Sequence, residues 1–88
     1  MDKVSLIIPS FNGRGLLKRN LPGVVEAAET AGNSEVIVVD DGSTDGSRQW
    51  LEDEWQGRVR LLYNNTQRGF ISSVNMGVKR SGGEMVLL

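Results

Sequence analysis

The stretch that decides the fold is Val36-Ile37-Val38-Val39-Asp40-Asp41-Gly42-Ser43-Thr44-Asp45-Gly46-Ser47. Its first four residues are apolar and β-branched, which predicts a strand covered on both faces, as in a parallel α/β sheet. That strand ends abruptly on two carboxylates and a glycine turn. Ligands bind at the carboxyl edge of open parallel sheets, because helix amino ends and turn amides converge there. The stretch therefore predicts a functional site as well as a strand.

The composition is that of one small globular domain, or part of one, with 88 residues of which 39% are hydrophobic and 24% charged. Ten basic and eleven acidic side chains give a net charge of −1, which argues against a nucleic-acid or anionic-membrane partner. No apolar run approaches the about 20 residues of a membrane-spanning helix, and no signal peptide is recognisable. We therefore expect a cytoplasmic chain without a membrane span, and leave open an association of the whole protein with a membrane. The absence of cysteine and histidine excludes disulfides, thiolate metal sites and histidine-dependent triads.

Apolar, strand-like runs alternate with segments of helical spacing, which is typical of repeated βαβ units. Right-handed crossovers predict a Rossmann-like α/β fold with a mainly parallel sheet, in the order 3-2-1-4. The last strand has no turn after it, which predicts a truncated domain. Its unpaired edge is expected to cause dimerisation, strand exchange or aggregation. The four predicted strands are Val4–Pro9, Glu35–Asp40, Val59–Tyr63 and Met85–Leu88.

Three helices are predicted between these strands. Pro22 is expected to kink or restart the first helix, which Gly32 ends. Ser43 or Thr44 is expected to cap the second. The apolar positions at helical spacing are Leu17, Leu21, Val24 and Ala28 in the first helix, Trp50, Leu51 and Trp55 in the second, and Phe70, Val74 and Val78 in the third.

Candidate ligand contacts follow the first two strands. The first strand ends at Pro9, and a stacking ring, Phe11, and an amide side chain, Asn12, follow it closely. The alternative is an ordinary turn with Phe11 in the core. Side chains alternate along a strand, so Asp40 and Asp41 are expected to point to opposite sides of the sheet. One would brace the turn, and Asp41 is the one assigned to a ligand, where it would accept hydrogen bonds from a base N–H or a ribose hydroxyl.

A third group of candidates lies after strand three. Arg68 is a candidate contact for a phosphate or a base carbonyl, and the alternative is a solvated loop charge. Gly77 within a helix is expected to permit close packing against the sheet. Asn75 is expected to hold a neighbouring turn through its backbone.

A calcium-binding EF-hand loop overlaps the decisive stretch and is a weaker alternative. Its loop positions one, three, five, six and twelve would be Asp41, Ser43, Asp45, Gly46 and Glu52. An EF-hand loop must follow a helix, however, whereas a strand is predicted here.

Together these motifs resemble the amino-terminal half of a GT-A type glycosyltransferase of the inverting family two. The resemblance covers all 88 residues and rests on VSLIIPSFNGRGLLKRNLPGV, EVIVVDDGSTDGS and RGFISSVNMGVKRSGGEMVLL in that order. Ser73 departs from the usual alanine. The resemblance implies that residues 1–88 form the amino-terminal, nucleotide-binding part of a glycosyltransferase domain.

The resemblance implies transfer of a sugar from a nucleoside diphosphate donor to an acceptor hydroxyl. The sequence does not identify the acceptor. Pro9, Phe11 and Asn12 would flank the base and ribose, Asp41 would bind the base, and Arg68 would help to hold the nucleotide. The resemblance also implies an Asp-x-Asp site for Mg²⁺ or Mn²⁺ just after Leu88, so neither catalytic nor metal-binding residues are assigned within the chain, which alone is expected to be inactive. The alternatives are a non-enzymatic nucleotide-binding or regulatory module and a nucleotidyltransferase. No lysine-bearing glycine loop follows strand one, which disfavours the latter.

Overall fold

The structure is a computed structural model that describes residues 4–80 and 84–87. Four strands and three helices alternate along it, as the sequence predicts. The strands form one parallel sheet in the order β3-β2-β1-β4, which confirms the predicted Rossmann-like α/β fold. Residue 88, predicted to end the last strand, lies outside the described residues. The elements are β1 Val4–Ser10, α1 Arg14–Ala31, β2 Ser34–Asp41, α2 Ser47–Trp55, β3 Arg60–Asn64, α3 Phe70–Arg80 and β4 Glu84–Leu87.

Strand β2 lies inside the sheet and is covered on both faces. Val36 and Val38 pack into one apolar cluster with α1 and α2, while Ile37 and Val39 pack with Ile7 on the opposite face. Burial of each aliphatic side chain contributes about 1.5–3 kcal/mol, so both faces stabilise the same strand. This explains why β2 is a continuous apolar run rather than an alternating one.

Helix α1 is one continuous helix of 18 residues with Pro22 inside it, so the predicted restart at that proline is wrong. Pro22 is exposed, and the buried residues Leu21 and Val25 beside it pack in the core cluster that holds the helix on the sheet. The predicted stop is confirmed, because Gly32 has φ 82° and donates its N–H to the Ala28 carbonyl oxygen. The buried positions include Val25, whereas the predicted Val24 is only half-buried.

Helix α2 begins after Gly46, whose backbone lies in the left-handed region and which provides no side-chain cap. The predicted cap at Ser43 or Thr44 is therefore wrong. Both residues instead contact the turn after β1.

Helix α3 packs on the sheet through small residues, since its buried positions are Ser73 and Gly77. A Cβ atom added to Gly77 would lie 2.6 Å from Cγ2 of Ile7, which confirms the predicted close packing. The predicted apolar stripe is not the sheet-facing side, because Phe70 is 61% exposed and Val78 37%. Asn75 is exposed and lines an open groove, so the role predicted for it in holding a turn is not seen.

No helix within residues 4–80 is both long and apolar enough to cross a membrane.

Candidate functional site

The turns that follow β1 and β2 are bound to each other at the carboxyl edge of the sheet. The Asn12 amide donates to Oγ of Ser43 at 2.9 Å, and the Thr44 amide donates to Oδ1 of Asn12 at 2.7 Å. Asn12 has φ 52°, a left-handed conformation that asparagine tolerates better than most residues. The Asn12 side chain is thus used within the protein to fix the two turns together.

Asp45 provides a second connection between the same turns. Its Oδ2 accepts the amide of Arg14 at 3.1 Å, and its Oδ1 accepts both the amide of Ser47 at 3.0 Å and the Ser47 hydroxyl. Burial alone would raise the pKa of Asp45, but these donors outweigh it and lower the pKa below its ordinary value. Asp45 is therefore an ionised carboxylate that contacts the first residues of α1 and α2 at once.

Asp41 connects β2 to the loop between β3 and α3. Its Oδ1 accepts Nδ2 of Asn64 and the amide of Arg68, both at 2.8 Å, and its Oδ2 accepts the amide of Gly69 at 2.9 Å. Burial would raise the pKa of Asp41, and these three donors together with Ser73 lower it below the ordinary value. A carboxylate has about four acceptor positions. Asn64, Arg68, Gly69 and Ser73 together can fill all of them, so a ligand donor would take the place of the Ser73 hydroxyl.

The loop after β3 lies directly against Gly42. A Cβ atom at that position would be 2.6 Å from the carbonyl carbon of Thr66, and Gly42 has φ 75°. Both the close approach and the left-handed backbone require glycine there. Gly42 thus allows the loop after β3 to pack directly against the turn after β2.

Asp40 lies on the opposite face of the sheet from Asp41 and is buried. Its Oδ2 accepts the amide of Ser43 at 3.2 Å, so it braces its own turn. The predicted division between a bracing and a cleft-facing aspartate agrees with this geometry. Asp41 departs from it in one respect, since it also braces a neighbouring loop.

Asp41 lines a small cleft of about 160 Å³ at the carboxyl edge. Two phenylalanine rings border the cleft, Phe11 with 44% and Phe70 with 61% of its surface exposed. Exposed aromatic rings beside an acceptor carboxylate suit a flat, polar-edged ligand such as a nucleobase. The cleft is lined by Pro9, Ser10, Phe11, Asp41, Gln67, Phe70 and Ser73.

Three of the five residues predicted from the sequence meet in this cleft, namely Pro9, Phe11 and Asp41. Asn12 and Arg68 do not line it. Asn12 is turned toward the second turn, and the Arg68 side chain lines a separate groove along α3, while its backbone amide holds Asp41.

Four other residues that were not assigned to the site from the sequence also line the cleft: Ser10, Gln67, Phe70 and Ser73. Phe70 was assigned to an apolar helix face, and the signal that could have placed it in the cleft is its position at the first residue of α3. Ser73 is one turn further along the same helix.

A larger groove of about 440 Å³ lies on the other side of the Phe11 turn, against α1. It shares Pro9, Ser10 and Phe11 with the cleft. The apolar residues of α1 that line it are Leu16, Leu17, Leu21 and Val24. The smaller cleft is the better candidate site because an ionised carboxylate lines it and because the ends of β1 and β2 meet the loop after β3 there.

The carboxylates of the decisive stretch do not form a metal centre. Within residues 4–80 and 84–87 no group of three or more acidic or other metal-binding side chains could hold an ion. Asp41 and Asp45 are occupied by protein N–H donors, and the segment follows β2 rather than a helix. The EF-hand alternative is therefore wrong. An implied Mg²⁺ or Mn²⁺ would need ligands other than these.

Comparison with known proteins decides the family. The family model described as glycosyl transferase family 2 matches residues 5–88. The chain belongs to this family. An uncharacterized family relative, a glycosyltransferase of Haemophilus influenzae, is 34% identical over 86 residues, which cover 96% of this chain and 27% of the relative.

Solved structures agree with this family 2 assignment. A mannosyltransferase of Pyrobaculum calidifontis, in complex with GDP-Man and Mn²⁺, matches 93% of this chain with a TM-score of 0.76 and 28% identity. S. aureus TarS in complex with UDP matches 98% with a TM-score of 0.82 and 26% identity. The chain spans about a quarter of each of these two structures, so the resemblance extends over the fold but not over the whole of either protein.

Proposed function

We propose that this chain is the nucleotide-recognition part of a sugar nucleotide-dependent glycosyltransferase. The whole enzyme would transfer a sugar, with inversion, from a nucleoside diphosphate donor to an acceptor hydroxyl. The observation that carries the proposal is the ionised Asp41 in a cleft bordered by Phe11 and Phe70 at the carboxyl edge of a parallel sheet. The family, and neighbours whose structures contain UDP or GDP-Man, support it.

The ionised state of Asp41 restricts the base that the cleft accepts. An ionised carboxylate only accepts hydrogen bonds, and a charged acceptor makes them about twice as strong as a neutral one does. Uracil, thymine and guanine carry an N–H in the ring of their pairing edge. Cytosine and adenine present an unprotonated ring nitrogen there, which would repel the carboxylate, so only their exocyclic amino groups could donate to it. We therefore expect uridine, thymidine or guanosine diphosphate sugars as donors.

The roles of this chain's residues are binding and orientation. The Asp41 carboxylate would accept the ring N–H in place of the Ser73 hydroxyl. The exposed face of Phe11 would stack on the base, a contact worth about 1–3 kcal/mol. Pro9 fixes the strand end beside that ring. A divalent cation in the whole enzyme would neutralise the charge of the diphosphate leaving group.

Nucleotide binding by the 88-residue chain tests the proposal. Isothermal titration calorimetry should show that UDP or GDP binds and that CDP binds at least about tenfold more weakly, since the mismatched ring nitrogen loses about 1.4 kcal/mol or more. Asp41→Asn should weaken UDP or GDP binding to a similar degree. The matched control is Asp53→Asn on α2, where the exposed carboxylate accepts Nε2 of Gln49.

Two results would contradict the proposal. A folded wild-type chain that binds none of these nucleotides would remove the nucleotide site. Equal affinities in Asp41→Asn and Asp53→Asn would move the site away from Asp41.

We also propose that the open edge of β4 pairs with a second copy of the chain. Strand β4 hydrogen-bonds to β1 along one side, and within the described residues no strand pairs with its other side. Such an edge is a template for further pairing. The cytoplasmic location predicted from the sequence stays a prediction.

A further inference from the structure

Two sets of hydrogen bonds, here named the turn clasp, hold the turn after β1 against the turn after β2. One set joins Asn12 to Ser43 and Thr44, and the other joins Arg14 to Asp45. The guanidinium Nη1 of Arg14 also donates to the Asp45 carbonyl oxygen at 3.5 Å. The two turns belong to segments about thirty residues apart, so the clasp is tertiary structure and not a local turn.

Asp45 is the only side chain of the turn clasp that contacts the first residues of two helices. Neither α1 nor α2 has a side-chain hydrogen bond from its N-cap residue, since both caps are glycines. Asp45 supplies an acceptor to both helix starts, where a negative charge is also favoured by the helix dipoles. Both of its oxygens are needed, because one faces α1 and the other α2. An amide in its place would turn an NH₂ group toward one of the two N–H donors.

The turn clasp fixes the residue that borders the candidate cleft. Phe11 directly precedes Asn12, and its ring is 44% exposed, so burial alone does not hold it. The turn around it is tight, because a Cβ atom on Gly13 would lie 2.8 Å from Oγ of Ser10. The position of the Phe11 ring therefore depends on what holds Asn12 and Arg14.

We propose that Asp45 is a positioning residue, which acts through Arg14 and the Asn12 turn to hold Phe11 at the edge of the nucleotide cleft. This inference rests on the proposed function of that cleft. The sequence places Asp45 in the segment EVIVVDDGSTDGS that carries the family resemblance and in the weaker calcium-loop alternative, and it predicts that nucleotide binding is largely kept in Asp45→Ala. The contacts of Asp45 in the structure lead to the opposite expectation. Its carboxylate shapes the cleft without lining it.

The variant Asp45→Asn tests this role, with Asp53→Asn as the matched control on the exposed side of α2. Amide hydrogen exchange followed by NMR reports on Asn12 and Thr44, neither of which hydrogen-bonds Asp45. We expect both amides to exchange several-fold faster in Asp45→Asn, and the affinity for UDP or GDP, whichever the wild-type chain binds, to fall about tenfold. The control should change neither quantity.

A local capping role gives a different result. If only the amides of Arg14 and Ser47 exchange faster and nucleotide affinity is unchanged, Asp45 is merely a helix cap and the inference is wrong. If Asp45→Asn does not fold, Asn12→Gly decides, because glycine adopts φ 52° freely and removes the bond to Thr44. Wild-type affinity in Asn12→Gly would then refute the inference.

The failure of the proposed function would be seen separately. A wild-type chain that binds neither UDP nor GDP overturns the nucleotide site itself. The exchange rates of Asn12 and Thr44 in Asp45→Asn would still show whether Asp45 holds the turn.

Discussion

Alanine substitution at Gly23 in α1 and at Gly77 in α3 should have opposite effects on stability. At Gly77 a Cβ atom would lie 2.6 Å from Cγ2 of Ile7, well inside the 3.4 Å at which ordinary contact begins. Ile7 is 2% exposed and lies in β1 opposite Ile37, so neither it nor the helix moves away without disturbing the sheet. Overpacking of this kind costs about 1–3 kcal/mol. The gain in helix propensity from glycine to alanine is only about 1 kcal/mol.

Gly23 is the matched position, since it lies in α1 with no atom within 4 Å of an added Cβ. Gly23→Ala should therefore stabilise the chain by up to about 1 kcal/mol, whereas Gly77→Ala should destabilise it by up to about 2 kcal/mol. The difference between the two variants cancels the propensity gain and measures the overpacking alone, at about 1–3 kcal/mol. Urea denaturation gives the free energies of unfolding. The melting temperatures of the two variants should differ by about 4–8 °C for each kcal/mol of difference in that free energy.

Equal free energies of unfolding in the two alanine variants would refute the reasoning. They would mean that α3 does not approach β1 as closely as the structure shows.

Two further results are expected. The folded-state pKa values of Asp41 and Asp45 are lowered, so their stabilising effect is fully present above the unfolded value of about 3.9 and is lost as the pH falls through the folded values. The urea concentration at the unfolding midpoint should thus be constant near neutral pH and should decrease once the pH is lowered below about 4. The decrease should be less steep in Asp45→Asn. A midpoint that is unchanged down to pH 3 would contradict the assigned ionisation. Light scattering over a concentration series should show dimers or larger species because of the β4 edge, whereas a monodisperse monomer at high concentration would count against that pairing.

The sheet was predictable because its signals are local. The apolar run Val36–Val39 indicates a strand covered on both faces, and the alternation of segments with helical and strand spacing fixes a parallel order once right-handed crossovers are assumed. Strand bounds differ from the structure by one residue at most ends, as expected where a turn residue extends the ladder. The restart predicted at Pro22 is wrong because the cost of a proline inside a helix, about 3 kcal/mol, is offset by the burial of side chains such as Leu21 and Val25 on either side of it. That burial depends on tertiary packing, which the residues around Pro22 do not show.

The candidate site was predictable only in part, because hydrogen-bond partners depend on tertiary contacts. Alternation along β2 places Asp40 and Asp41 on opposite faces, and this is a local rule. The use of the Asn12 side chain by Thr44, and of Asp45 by Arg14, joins residues about thirty positions apart. No pattern within either segment indicates those partners. The position of Phe70 at the cleft likewise depends on how closely α3 approaches the sheet.

The order of the strands also has a consequence for how the chain folds during synthesis. Strand β1 is made first but lies between β2 and β4, and Val4 pairs with both Ser34 and Glu84. One side of β1 can therefore pair early, while its other side can pair only after β4 has left the ribosome, about eighty residues later. Contacts of such long sequence separation slow folding, and an unpaired strand side exposed during the delay favours association between nascent chains. We expect early capture of that side by a chaperone to raise the yield of folded protein more than stabilisation of any single helix would.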